Sequence, residues 1–362
     1  MRSRSVPFPP VHPRLPRLAA LLATLLLAAC ASAGPPAPPA AAAVEPAPPA
    51  AVPVPDPVVP PPRIGLALGG GAAKGFAHIG VIKMLEANGF KPEVVSGTSA
   101  GSVVGALYAS GMNPFQMQEN AVALDQAEIR DVTLFNGGLV RGQKLQDYVN
   151  RMVGNRPFEK LALPFAAVST KLETGERMVF VRGNVGQAVR ASCSIPGVFE
   201  PVKIGDLHYV DGGVVSPVPV DAARQLGADF VVAVDISTKT TGETPKNMLG
   251  VVNQSITIMG QRLGAQEMTR ADVVIRPKVN DIGAADFEQR NRAILEGEKA
   301  ALAAIPQIRA KLAQLRASRE RAEAERLARA RAAEDAKRPK CEKPGLIGGL
   351  FGKDEKCEAP NR

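Results

Sequence analysis

Between residues 63 and 305, short apolar runs alternate with longer stretches in which apolar residues recur every three or four positions. The short runs, rich in Val and Ile, predict strands at 64–68, 94–96, 165–169, 178–181, 207–210, 230–235 and 273–275. The longer stretches predict helices at 76–88, 100–110, 114–125, 142–153, 185–191, 219–226 and 246–269. Strand and helix alternate, so the expected fold class is α/β, a mainly parallel central sheet flanked by helices, with a C-terminal helical extension. Residues 113–155 carry helix signals without an obvious strand and are the candidate cap over an active site.

The two ends depart from this alternation. Arg2, Arg4, Arg14 and Arg17 precede an apolar stretch, 18–27, too short to span a bilayer as a stable helix. It ends in Leu27-Ala28-Ala29-Cys30, which resembles a bacterial lipobox. Residues 1–29 are therefore read as a lipoprotein signal peptide and Cys30 as the lipidated residue; an ordinary signal peptide or an uncleaved anchor is the alternative. Ala31 and Ser32, directly after Cys30, include no aspartate, as in lipoproteins sorted to the outer membrane. The expected location is the cell envelope, lipid-anchored at the outer membrane. Residues 30–62 form a spacer: Gly34 to Pro62 holds 13 prolines and 8 alanines, cannot bury a core, and at about 3.1 Å per residue reaches roughly 90 Å.

At the other end, 286–304 is helical in pattern, and Pro306 suits the first turn of a further helix, which bounds the main domain at 63–305. Ile305, Ile308, Leu312 and Leu315 form one docking stripe, after which the apolar signal fades. Charge sharpens this division. The chain carries a formal +9, which loss of the four N-terminal arginines lowers to +5, yet residues 309–340 alone hold 11 basic and 5 acidic side chains, a net +6. The 306–340 helix is thus either a solvated rod or a contact for anionic lipid or lipopolysaccharide phosphate. Nucleic acid is not an expected partner beyond the cytoplasm. In the flexible tail, 341–362, Cys341 and Cys357 could close a 15-residue loop in an oxidising compartment. Cys193 reads as a buried small apolar residue, and no Cys/His cluster has metal-ligand spacing, so no metal and no cofactor are expected.

The candidate chemistry begins at Val94-Val95-Ser96-Gly97-Thr98-Ser99-Ala100-Gly101. A strand, Gly-x-Ser-x-Gly and a helix in that order make a nucleophile elbow, which presents a strained serine at the carboxyl edge of a sheet. An ordinary Gly-rich turn is the rival reading. A second turn, Gly69-Gly70-Gly71-Ala72-Ala73-Lys74-Gly75, follows the first strand and points successive N–H groups into one concavity. It lacks Gly-Lys-Ser/Thr, and Ala72 breaks Gly-x-Gly-x-x-Gly, which disfavours a nucleotide phosphate and leaves the oxyanion of an ester under attack. The base is harder to find. His12 lies in the segment expected to be removed, His78 lies too close to the oxyanion turn, and His208 sits three residues before Asp211 on a strand. On a regular strand that odd spacing puts His208 and Asp211 on opposite faces. Asp211-Gly212-Gly213 remains, a carboxylate with room for close approach.

Gly-Gly-Gly-x-x-Lys-Gly, Gly-Thr-Ser-Ala-Gly and Asp-Gly-Gly in this order, with the intervening 192–199 segment, resemble the patatin-like phospholipase family over 63–306. The resemblance implies a patatin-like catalytic domain with a serine–aspartate dyad, Ser99 as nucleophile and Asp211 as base. It implies an oxyanion hole lined by Gly70, Gly71 and Ala72, with Lys74 where the family usually has arginine. Ala72 replaces a usual glycine, and Lys74 keeps the charge without the planar fork. The expected activity is hydrolysis of phospholipid or other lipid esters at a membrane surface. A non-catalytic lipid- or partner-binding envelope lipoprotein on the same fold is the alternative.

Overall fold

The computed structural model describes residues 59–131, 140–240, 244–245, 247–337, 340–342 and 356–358; the expected signal segment, Cys30 and most of the spacer lie outside them. The chain from Asp56 onward forms the folded unit. In it, five strands run parallel in the order β3 (Phe165–Lys171), β2 (Val94–Thr98), β1 (Ile64–Leu68), β7 (Phe230–Val234) and β8 (Val273–Ile275). Beyond β3 the sheet turns antiparallel through β4 (Arg177–Phe180), β6 (Leu207–Asp211) and β5 (Val202–Ile204). The parallel strands β1, β2 and β7 are almost wholly buried, which their unbroken apolar runs require when helices cover both faces. Strand β5 was not legible in the sequence, because three residues with an exposed Lys203 at their centre carry no period.

One detail of pairing positions the candidate site. Along 167–170 one edge of β3 is occupied by β4. The other edge is shared: β2 pairs with it up to Thr98↔Val168, and β6 takes over from the opposite direction at Ser169↔Asp211. The carboxyl ends of β2 and β6 therefore meet head-on, with Thr98 and Asp211 at consecutive positions of β3.

Helices α1 (Phe76–Ala87), α2 (Ala100–Ala109), α5 (Val185–Ser192) and the buried part of α8 (Arg290–Asp335) cover one face with a continuous apolar core. Helix α6 (Val220–Gln225) and the end of α7 (Met248–Met268) cover the other around Ala67, Val94, Val218 and Val231. Helices α3 (Pro114–Ala123) and α4 (Gln143–Met152) belong to the first layer, α3 against α1 and α4 against α5. They bury Met117 and Ala121, and Leu145, Tyr148 and Val149, so the region expected to cap the site is part of the helical wall. Residues 132–139 lie outside the described residues.

The C-terminal stripe docks as expected, with Ile305, Ile308 and Leu312 buried. The boundary at Pro306 is corrected: α8 runs unbroken for 46 residues through it. Proline removes one helical hydrogen bond, and here burial of Ala301, Ile305 and Ile308 around that point offsets the loss. Cys341 and Cys357 are register partners in a short antiparallel ladder of β9 (Lys340–Glu342) and β10 (Lys356–Glu358). Among the described residues, no helix is long and apolar enough to cross a membrane.

Helices α1 and α8 pack backbone to backbone through two reciprocal glycines. A Cβ on Gly80 would lie 2.0 Å from Ile294 O, and one on Gly297 would lie 2.0 Å from Ala77 O. Gly297→Ala must push α8 away from the layer, and overpacking of this kind costs about 1–3 kcal/mol. A denaturant titration of the variant is expected to show that loss; unchanged stability would mean the helices separate freely.

Candidate active site

Ser99 lies between β2 and α2 with φ 52° and ψ −126°, the strained elbow geometry expected of it. The flanking glycines explain why the turn closes. A Cβ on Gly97 would sit 2.3 Å from Gly101 O, and one on Gly101 would sit 2.1 Å from Leu68 O. Strand β2, helix α2 and the end of β1 thus meet with no side chain between them. The elbow is fastened from both sides: Ser99 N donates to Ser192 Oγ at 2.9 Å, and Ser102 Oγ donates to Ser99 O at 2.7 Å. Ser192 donates in turn to Val168 O on β3.

Asp211 arrives from β6 along the shared edge of β3. Its backbone N donates to Ser194 O at 2.8 Å, and Oδ1 accepts from Gly213 N at 2.7 Å. Oδ2 is buried with no well-formed hydrogen bond. The Ser99 hydroxyl is close enough to favour the ionised carboxyl, yet its geometry falls short of a full bond, as in many unliganded hydrolase sites. Both residues are 6% exposed. Burial pushes the Asp211 carboxyl up to about 6, while the Ser99 hydroxyl and the Gly213 N–H pull it back. A Cβ on Gly212 would meet Val168 O at 2.2 Å, so only glycine fits behind the carboxylate.

The glycine turn lies against the elbow, but its parts divide differently from expectation. Gly70 N donates to Pro217 O at 3.0 Å and is not free for an oxyanion; Gly70 serves instead to let Ser99 Cβ approach to 3.2 Å of where its own Cβ would stand. Lys74 is likewise corrected. Its Nζ donates to Thr238 Oγ1 at 2.6 Å, its N donates to Gly71 O at 3.2 Å, and it is fully buried, so it braces the turn from behind. Burial pushes its ammonium down, and the nearby Asp235 charge opposes that. Among the described residues, the N–H groups of Gly71 and Ala72 take no protein acceptor and remain available. Ala72 adopts φ 52°, a left-handed conformation that glycine would adopt without strain.

Neither histidine of the described chain reaches Asp211. His78 is buried, its Nε2 bonds Gly69 O at 2.8 Å, and burial pushes it down to about 4, so it is a neutral donor that props the turn. His208 pairs with Glu173 at 2.9 Å on the exposed antiparallel edge. Cys193 is closer than the sequence suggested. Its thiol lies 3.8 Å from Ser102 Oγ, and burial, reinforced by the Asp211 charge, pushes it up, so it stays protonated.

A further residue was not found by sequence reasoning. Glu267 on α7, 5% exposed, accepts from the Ser216 hydroxyl and from Val218 N at 2.8 Å. The same loop bonds Thr98 Oγ1 through Ser216 O at 2.8 Å and Gly70 N through Pro217 O. Glu267 therefore ties together the segment after Asp211, the end of β2 and the glycine turn. Burial pushes its carboxyl up to about 7. A lone glutamate near the end of a helical pattern carries no signal for this role.

Residues 66–224, which include Ser99, Asp211 and the glycine turn, match the family model described as patatin-like phospholipase. The chain is 36% identical over 184 residues to an uncharacterized NTE family protein of Mycobacterium tuberculosis, a stretch covering 50% of this chain and 51% of that one. It is 33% identical over 185 residues to patatin-like phospholipase domain-containing protein 6 of Mus musculus, covering 49% of this chain and 14% of that one. The chain spans about half the length of the Mycobacterium relative it matches and far less of the mouse protein. Among solved structures, VipD from Legionella pneumophila is similar at TM-score 0.41 and 15% identity, over 69% of this chain and 67% of that chain.

The raised Asp211 carboxyl has a consequence for stability. Its folded value, about 6, lies above the ordinary 3.8, so ionisation above pH 6 opposes folding, while below 3.8 neither state is charged. Asp211→Asn removes that buried charge. The variant is expected to be more stable than wild type by about 1–3 kcal/mol at pH 8, with the gain shrinking towards pH 4. Thermal melts at both pH values test this, and a difference independent of pH would show that desolvation is not its source.

Proposed function

We propose that this chain, which belongs to the patatin-like phospholipase family, is a serine acyl-ester hydrolase acting on phospholipid or related lipid esters through a Ser99–Asp211 dyad. The observation that supports this most directly is the head-on meeting of β2 and β6 on one edge of β3, with both side chains buried at the junction. In this reading Ser99 Oγ attacks the ester carbonyl as its proton passes to Asp211 Oδ2. The negative oxygen of the tetrahedral intermediate faces Gly71 N and Ala72 N, each well-placed donor contributing about 3–4 kcal/mol. Collapse breaks the ester bond, the departing alcohol takes the proton from Asp211, and the acyl group stays on Ser99. Water then attacks the acyl-enzyme, gives its proton to Asp211, and the fatty acid leaves as Ser99 regains that proton. The strain held at Ser99 favours an enzyme over a binding scaffold, which has no use for it.

Ser99→Ala and Asp211→Asn are each expected to abolish ester hydrolysis while circular dichroism stays unchanged, and His208→Gln to keep activity within about tenfold of wild type. Ser99→Ala should also lose covalent labelling by a fluorophosphonate. Because the base must be ionised, kcat/KM should rise through pH about 6 and level off above it. Turnover retained by either dyad variant would sink the assignment.

The proposed setting is the cell envelope. Cys30 would carry the lipid, the spacer would give the domain reach over the surface, and the outer membrane is the proposed site of anchoring. Cys30→Ser in the full precursor is expected to abolish incorporation of labelled palmitate, and incorporation that persists would remove Cys30 from this role.

A further inference from the structure

The first 14 residues of α7, Met248 to Gln261, contain no ionisable side chain. Yet none of the described side chains in this half of the helix is buried. Met248 is 78% exposed and Met259 57%, and Val251, Val252 and Ile258 are exposed as well. Positions 248, 252, 255 and 259 fall one above another on an α-helix, with 251 and 258 on their flank. The exposed apolar side chains thus form a single stripe facing away from the protein. Such a stripe is far beyond the scattered apolar residues that any surface shows.

The helix that carries the stripe rests, by another of its faces, on the turn beside the candidate site. A Cβ on Gly260 would lie 3.9 Å from Gly213 O, so α7 crosses the turn that directly follows Asp211. Val214, in that turn, adds one more exposed apolar side chain close in sequence to the same carboxylate. At its inner end the stripe gives way to the exposed cation Arg262. Next to it, Gln261 Nε2 donates to Thr238 O at 2.9 Å. Lys239 follows, and with Lys278 it lines an open cleft of about 480 Å³. Among the described residues neither lysine makes an ion pair.

We propose that this face of α7 is a docking surface for the lipid bilayer, which lays the mouth of the Ser99–Asp211 site against the membrane. The choice of partner rests on the lipolytic reading. An uncharged apolar helix face bordered by cations is the pattern of helices that lie in the plane of an anionic bilayer. Its contact with the turn after Asp211 would let an acyl chain pass from membrane to site without crossing water. A lipid tether at the N-terminus would keep the domain near the surface; the stripe would set its orientation.

The chain has no tryptophan, so a single introduced indole reports its own surroundings. In the full lipidated chain carrying Ser99→Ala, Met259→Trp and, separately, Leu302→Trp are compared on phosphatidylethanolamine–phosphatidylglycerol vesicles with brominated acyl chains. Leu302 is an exposed position on α8 and controls for tethering alone. Insertion predicts about threefold stronger quenching for Met259→Trp than for Leu302→Trp, with a blue-shifted emission. Equal quenching at the two positions overturns the proposal. So does a blue shift of Met259→Trp that grows with protein concentration before any vesicle is added, because a second copy would then cover the face. In the active chain, Val252→Asp combined with Met259→Asp should lower hydrolysis of vesicle phospholipid about tenfold and leave a dispersed short-chain ester within about twofold. Quenching does not depend on turnover. Absence of all ester hydrolysis in wild type would therefore defeat the catalytic reading while the docking result stood by itself.

Discussion

The structure depends on an approach of backbones that admits no Cβ. Gly97 and Gly101 bring β2, α2 and the end of β1 into direct contact, and Gly70 and Gly212 clear the space around Ser99 and behind Asp211. Each contact would place an added Cβ at 2.1–3.2 Å from its neighbour. Only when the segments around these four glycines lie this close can a strained serine, a glycine turn and a carboxylate from an antiparallel strand share one small volume. The glycines are therefore structural in mechanism and functional in consequence.

A second layer of interactions converts proximity into fixed geometry. Ser192 and Ser102 hold the elbow, His78 and Lys74 hold the glycine turn, and Glu267 holds the loop that links the turn to Asp211. These are buried polar groups held by backbone partners or, for Lys74 and in part Glu267, by side-chain hydroxyls, and each would be costly left alone. Behind the turn His78 Nδ1 is left without a partner, and at the site itself, among the described residues, the groups without one are Asp211 Oδ2 and the N–H groups of Gly71 and Ala72. Those are the atoms that a proton and a developing oxyanion would need. Burial that raises both Asp211 and Glu267 is the electrostatic cost of that arrangement.

Seen from outside, the same site has an asymmetric surround. The α1–α5–α8 layer covers one face of the sheet, whereas α7, with an uncharged N-terminal half, passes over the turn that follows Asp211. A helix of this composition could not be assigned to core or surface from periodicity, because Met248, Val252 and Met259 are as apolar as a core face and yet are exposed. Its orientation follows from Gly260 and Gly264 approaching the loop that Glu267 fixes.

Much was determined by local sequence alone. Short apolar runs fix the parallel strands, since a strand buried on both faces needs apolar residues at every position. Gly-x-Ser-x-Gly between a strand and a helix fixes the elbow at Ser99, because backbone strain and close packing are local demands. The stripe of Ile305, Ile308 and Leu312 fixes which face of α8 docks. What tertiary structure decided is everything set by pairing across the chain. The shared edge of β3 brings Asp211 to Ser99 although 111 positions separate them. Pro217 O removes Gly70 from the set of free donors, and Thr238 draws Lys74 away from the site. Packing carries α8 through Pro306. The physical reason is the same in each case: a local pattern states which group a residue offers, while the partner that takes it comes from a distant segment and exists only after folding.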